Sequence, residues 1–132
     1  MEIYFPMSCN ILTKGHIRAL EYLKRRGFIT IGLLTKKAME GYKQELMPYE
    51  DREYILETIA MALGNIDVRP QDSLDPTENI KKYGCNAIAS GDGWNEKELK
   101  AIKKLKLKVI DFSSGETLHS SDIYGKRNHR TI

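Results

Sequence analysis

Five short apolar runs recur along the chain, at 2–6 (EIYFP), 28–34 (FITIGLL), 66–69 (IDVR), 86–90 (NAIAS) and 107–112 (LKVIDF). No other feature restricts the fold as much. The runs are rich in β-branched and aromatic residues and bounded by Gly, Asn or Lys, so they read as strands mostly buried on both faces. A helical pattern separates each from the next, or follows it within a few residues. Residues 15–26 place Ile17, Leu20 and Leu23 on one side, extended by Ala19 and Tyr22. Residues 49–62 place Ile55, Ile59 and Ala62 on one stripe, with Leu56 and Leu63 beside it. Residues 75–83 open with Asp75, a capping residue, and Pro76, which suits a first helical position. Residues 95–105 open with Asn95 and carry Leu99, Ile102 and Leu105.

Strands alternating with helices in one small chain predict an α/β fold: a Rossmann-like three-layer sandwich with a mostly parallel five-stranded sheet. Right-handed crossovers place helices on both faces. Ligands of such sheets bind beyond the carboxyl ends of the strands, where the strand order reverses. A length of 132 residues favours a single core. The expected division is a domain over 1–125 and a polar, basic tail over 126–132.

Composition narrows the function classes. With 41% apolar and 30% charged residues the chain is ordinary for a soluble globular protein. A formal charge of +3 is too small to argue for a nucleic-acid partner. The lysines of 97–108 (KELKAIKKLKLK) alternate with apolar residues at helical spacing, the pattern of a solvated helix face. No window approaches the ~18 apolar residues of a membrane span, and MEIYFPMSCN lacks the features of a signal peptide. Cys9 and Cys85 have no metal-ligand spacing, so a cytoplasmic, reduced setting without a protein-held metal is expected.

Three loops fall at the carboxyl edge of the expected sheet. The first, MSCNILTKGHI (7–17), runs from a strand into a helix. Gly15 permits close backbone approach, and His16 sits where a helix start favours an anion. Ser8, Asn10 and Thr13 add short polar side chains. The second, SGDGW (90–94), sets Asp92 between Gly91 and Gly93 and ends on Trp94, which suits either a plain turn or stacking on a base. The third, SSGETLHSSDI (113–123), brings Ser120 and Ser121 to a helix start, where hydroxyls cap or hold a phosphate. Away from these loops, Arg52 in YEDREYILETI reads either as a surface ion pair with Glu45, Glu50 or Asp51, or as a cation for a polyphosphate. Lys36, Lys37 and Lys43 are further cations on the preceding loop.

These stretches together resemble the cytidylyltransferase family, within the His-x-Gly-His nucleotidyltransferases. The family pattern G-T-F-D-L-L-H-x-G-H-I is met here by MSCNILTKGHI. Gly15, His16 and Ile17 match; Thr13 stands at the first histidine and Asn10 at the aspartate. YEDREYILETI is similar to Y-E-x-R-x-x-I-L-E-T-I, SGDGW to G-D-D-W, and GETLHSSDI to T-E-G-I-S-T-T-K-I. The family's arginine before that last segment falls at about Ser114. Within the family, IGLLTKKAMEGYK and VRPQDSLDPTENIKKY look closest to cytidylyltransferases of phosphonate biosynthesis, while glycerol-3-phosphate cytidylyltransferases match in length and in the YEDREYILETI helix.

The resemblance implies transfer of CMP from CTP, with Mg²⁺, to a small phosphonate or phosphorylated polyol. It implies His16, Lys43 and Arg52 as catalytic residues. It also implies a nucleotide site of Ser8, Cys9, Asn10, Thr13, Gly15, His16, Gly91, Asp92, Trp94, Ser120 and Ser121. A homodimer, with the 61–69 segment near its interface, is the expected assembly; neither nucleic acid nor membrane is an expected partner. Nucleotide binding without turnover, and use of another nucleotide such as ATP, stay open as alternatives.

Overall fold

A computed structural model describes residues 1–91 and 93–112. It contains β1 (Glu2–Met7), α1 (Lys14–Lys24), β2 (Phe28–Leu34), α2 (Lys36–Met39), α3 (Tyr49–Leu63), β3 (Ile66–Gln71), α4 (Thr77–Lys82), β4 (Ala87–Ser90), α5 (Glu96–Lys104) and β5 (Lys108–Asp111). The five strands form one sheet in the order β3-β2-β1-β4-β5. Every pairing is parallel, so the sheet is wholly rather than mostly parallel among the described residues. The strand order reverses between β1 and β4.

The alternation of side chains along β1 divides the interior. Ile3, Phe5 and Met7 join Leu20, Leu23, Ile31 and Leu56 in the core beneath α1 and α3. Tyr4 points the other way, into a smaller cluster with Ile80, Ile88 and Ile102 beneath α4 and α5. Two cores on opposite faces of one sheet make the three layers. The lysines at 97, 100, 103, 104, 106 and 108 are exposed, the solvated face that their spacing predicts.

Two elements differ from the sequence reading. Burial on α3 runs through Arg52, Leu56, Ile59 and Leu63, whereas Ile55 is 36% exposed. An arginine four residues before Leu56 belongs to the inward stripe, which a hydrophobicity pattern passes over. β3 also continues through Pro70 to Gln71, pairing Leu33 with Pro70 and Leu34 with Gln71. A proline is tolerated there because β3 is an edge strand among the described residues. The short α2 had no sequence signal of its own; the Thr35 side chain caps it by accepting from Ala38 N–H.

Candidate functional site

A cavity of about 290 Å³ opens beyond the carboxyl ends of the strands, at the β1/β4 reversal. Its walls come from Phe5 to Met7 in β1 with Ser8 and Cys9 after it, His16 on α1, Leu34 ending β2, Tyr42 and Lys43 after α2, Gln71 ending β3, and Leu74 and Pro76 after it. Ser90 ending β4, Gly91, Gly93 and Trp94 after it, Asn95 capping α5 and Glu98 on α5 close it. Of the residues expected at a site, it brings together Ser8, Cys9, His16, Lys43, Gly91 and Trp94. Asn10, Thr13, Gly15 and Arg52 are not on its walls. Asp92, Ser120 and Ser121 lie outside the described residues.

His16 is oriented by the turn that precedes it. The Thr13 backbone N–H donates to His16 Nδ1 at 3.0 Å, and the Thr13 hydroxyl oxygen lies 3.0 Å from the same nitrogen. A ring nitrogen that accepts an N–H uses its lone pair, so the ring proton belongs on Nε2. Thr13 thus acts through His16 rather than lining the cavity itself. The imidazole presents a donor at the start of an 11-residue helix whose dipole favours negative charge in the same place.

Lys43 follows α2, whose last turn its backbone N–H continues by donating to Met39 O at 3.1 Å. Its ammonium rests 4.8 Å from the centre of the Tyr42 ring, a loose cation–π contact on an exposed side chain. Asn10 ties this loop to the one after β1. Its Nδ2 donates to Gln44 O at 2.8 Å and its Oδ1 accepts from Leu46 N–H at 3.0 Å. The side chain placed at the family's aspartate therefore joins two loops.

Arg52 is the largest departure from the sequence reading. Its guanidinium is completely buried. Nε donates to Met47 O at 2.9 Å, and Nη1 donates to Ser8 O at 2.8 Å and Leu34 O at 2.6 Å. Nη2 pairs with Glu45, itself mostly buried. The pair with Glu45 is present, but it lies in the interior rather than on the surface. The expected polyphosphate cation is instead a staple joining the loops after β1 and β2 to the segment before α3. Five donors in a planar fork suit this task, which a single ammonium could not perform.

Cys9 adopts a left-handed backbone (φ 56°) and buries its side chain in the α1/α3 core. Burial pushes its thiol pKa up, opposed by the nearby Arg52 charge. Gly91 has nothing within 4 Å of where a Cβ would sit, so no neighbouring side chain accounts for a glycine on this wall. Trp94 rests against the α4/α5 core. Asn95 and Glu98 close α5 as a reciprocal capping box: Asn95 Oδ1 accepts from Glu98 N–H at 2.8 Å, and Glu98 Oε1 accepts from Asn95 N–H at 2.9 Å. Among the described residues no three of His, Cys, Asp and Glu stand together as a metal site, and no helix is long and apolar enough to cross a membrane.

Sequence reasoning missed Tyr42, Gln71, Leu74, Pro76, Asn95 and Glu98. Gln71 alone had a usable signal, a polar residue ending a strand, and Pro70 concealed it. The cavity's shape and donors suit a phosphorylated ligand that enters at one sheet edge. A family model described as cytidylyltransferase-like matches residues 4–126. No curated protein matches the chain.

Proposed function

From the premise that the chain belongs to the cytidylyltransferase-like family, we propose that it transfers CMP from CTP to a small phosphonate or phosphorylated polyol. The observation that carries this reading is the cavity at the β1/β4 reversal, with the His16 imidazole on one wall and Lys43 on the loop after β2. Gly91 and Trp94 form the opposite side, where the cytidine is proposed to lie. Asp92, Ser120 and Ser121 complete the proposed nucleotide site from outside the described residues. Magnesium arrives on the triphosphate as part of the substrate.

An acceptor oxygen attacks the α-phosphorus of CTP, the bond to the bridging α–β oxygen breaks, and pyrophosphate leaves with that electron pair. The acceptor is already an anion near neutral pH, so the reaction needs no general base. Catalysis then rests on positioning and on stabilising charge at the phosphoryl oxygens. His16 Nε2–H and the start of α1 supply donors for that charge, and the Lys43 ammonium supplies a cation. Thr13 and Asn10 act as positioning residues, one for the imidazole and one for the Lys43 loop. A Cβ at Gly15 would meet only the Thr13 hydroxyl, at the ordinary contact distance of 3.5 Å, so no steric contact among the described residues accounts for this glycine.

Pyrophosphate release, assayed with each nucleoside triphosphate against a panel of phosphonates and alditol phosphates, tests the reading. Turnover with CTP and one acceptor class supports it. Saturable CTP binding without turnover on any acceptor replaces it with a binding protein, and turnover with ATP alone replaces the nucleotide. The expected homodimer is proposed at the 61–69 segment, whose first residue, Met61 near the end of α3, is 87% exposed, with Tyr54 75% exposed earlier on the same helix. In sedimentation experiments Met61→Glu is expected to shift a dimer to a monomer.

A further inference from the structure

Beneath the β2–β3 side of the cavity lies a buried polar chain that the reaction above does not use. Tyr4 and Gln71 are 0% and 2% exposed, and the direction of every hydrogen bond between them follows from groups that can only accept. The Pro70 carbonyl is such a group, so the Asn79 atom 2.9 Å from it is the donor Nδ2. The same Nδ2 lies 2.9 Å from the Tyr4 hydroxyl, which therefore accepts from Asn79. Tyr4 then directs its single proton to Gln71, 2.6 Å away, and the receiving atom is Oε1. On the other side of the amide, Nε2 donates to the Ser73 carbonyl at 2.8 Å.

Both ends of Gln71 are thus oriented by groups with no alternative role. An amide nitrogen carries two protons, and the second has no partner among the described residues, although Gln71 lines the cavity. Gly32 belongs to the same arrangement. A Cβ there would stand 1.9 Å from the Tyr4 hydroxyl and 2.5 Å from Gln71 Oε1, so β2 gives up a side chain to let the chain of bonds form. A buried donor left unsatisfied is costly. Three neighbouring elements nonetheless hold this one in place beside the cavity.

We propose that Gln71 is a specificity-determining residue of the acceptor subsite, donating its free Nε2–H to an oxygen of a phosphonate or phosphate monoester. Tyr4 and Asn79 are its positioning residues. The inference rests on the transfer reaction proposed above. β3 is separated from β4 by two strands, and Gln71 lines the same cavity as Tyr42 and Lys43. A fixed neutral donor in one cavity with an ammonium suits an oxyanion and disfavours an amine at the same position.

In steady-state kinetics, Gln71→Leu is expected to raise the acceptor KM roughly tenfold or more while leaving the CTP KM unchanged. Tyr4→Phe, which releases the amide from its orientation, gives a smaller rise in the same constant. Equal changes in both KM values, or none, overturn the assignment and leave the transfer reaction standing. If the wild-type protein turns over no acceptor, the transfer reading fails, and a second measurement decides Gln71 without any substitution. The Gln71 side-chain amide of the ¹⁵N-labelled wild-type protein is titrated with 2-hydroxyethylphosphonate and with glycerol phosphate, without nucleotide. A saturable shift of that amide with either probe supports the proposal; no shift with both overturns it.

Discussion

The imidazole of His16 and the turn at Thr13 share one small hydrogen-bonded unit at the start of α1. Because Thr13 N–H occupies Nδ1, the donor available to a ligand is Nε2–H, and an alanine removes it without disturbing the sheet. His16→Ala is expected to lower kcat by roughly a hundredfold or more, the scale of losing one donor to a developing oxyanion. Unchanged pyrophosphate release would exclude this role. Tyr49 offers a different residue-scale prediction. Its hydroxyl is buried with no hydrogen-bond partner among the described residues, and its pKa is pushed up to about 12, by burial first and then by the neighbouring Glu53 carboxylate. A phenol raised in the folded state ionises earlier in the unfolded chain. Its contribution to stability is therefore complete below pH 10 and is lost as pH climbs towards 12. Tyr49→Phe is expected to be neutral or stabilising by about 1 kcal/mol at pH 7, and to flatten the loss of stability in that alkaline window. Urea unfolding at several pH values reads both effects.

At the scale of elements, α3 supplies the staple that organises two of the site's loops. Arg52 reaches the carbonyls of Ser8, Leu34 and Met47, and pairs with Glu45, two residues beyond Lys43. Arg52→Met strands the Glu45 carboxylate and three carbonyls, and is expected to cost about 3–5 kcal/mol of stability. Arg52→Lys keeps the charge but loses the fork, so it recovers only part of that loss. The combined Arg52→Met/Glu45→Leu variant is expected to be more stable than Arg52→Met alone, because no buried charge is left without a partner. A direct role on phosphate predicts something else: a lysine variant with full stability and weakened CTP binding. Chemical unfolding together with CTP affinity separates the two. The same scale explains why α3 was partly misread. Apolar spacing picks out Ile55, Ile59 and Ala62, but the inward stripe is set by Arg52, whose hydrogen bonds do not register as hydrophobicity.

For the whole molecule, the sheet order determines which loops meet. β1 and β4 are neighbours although far apart in sequence, and the reversal between them brings Ser8, Cys9 and His16 into one cavity with Ser90, Gly91, Gly93 and Trp94. The strands and the four longer helices were legible in the chain, because periodicities of two and 3.6 follow from local backbone geometry. So were His16, Lys43, Gly91 and Trp94 as members of one cavity, since strand-to-helix loops of a parallel sheet gather at its carboxyl edge. Arg52, Asn10 and Gln71 were not legible in the same way. An arginine, an asparagine or a glutamine has the same letter whether it meets a ligand, a loop carbonyl or a buried tyrosine. Sequence by itself determined the layers, the membership of a cytidylyltransferase-like family and the sheet edge at which the cavity opens. Only the tertiary structure decided that Arg52 turns inward, that Asn10 joins two loops and that Gln71 is held with one donor unpartnered among the described residues, because those outcomes depend on partners distant in sequence.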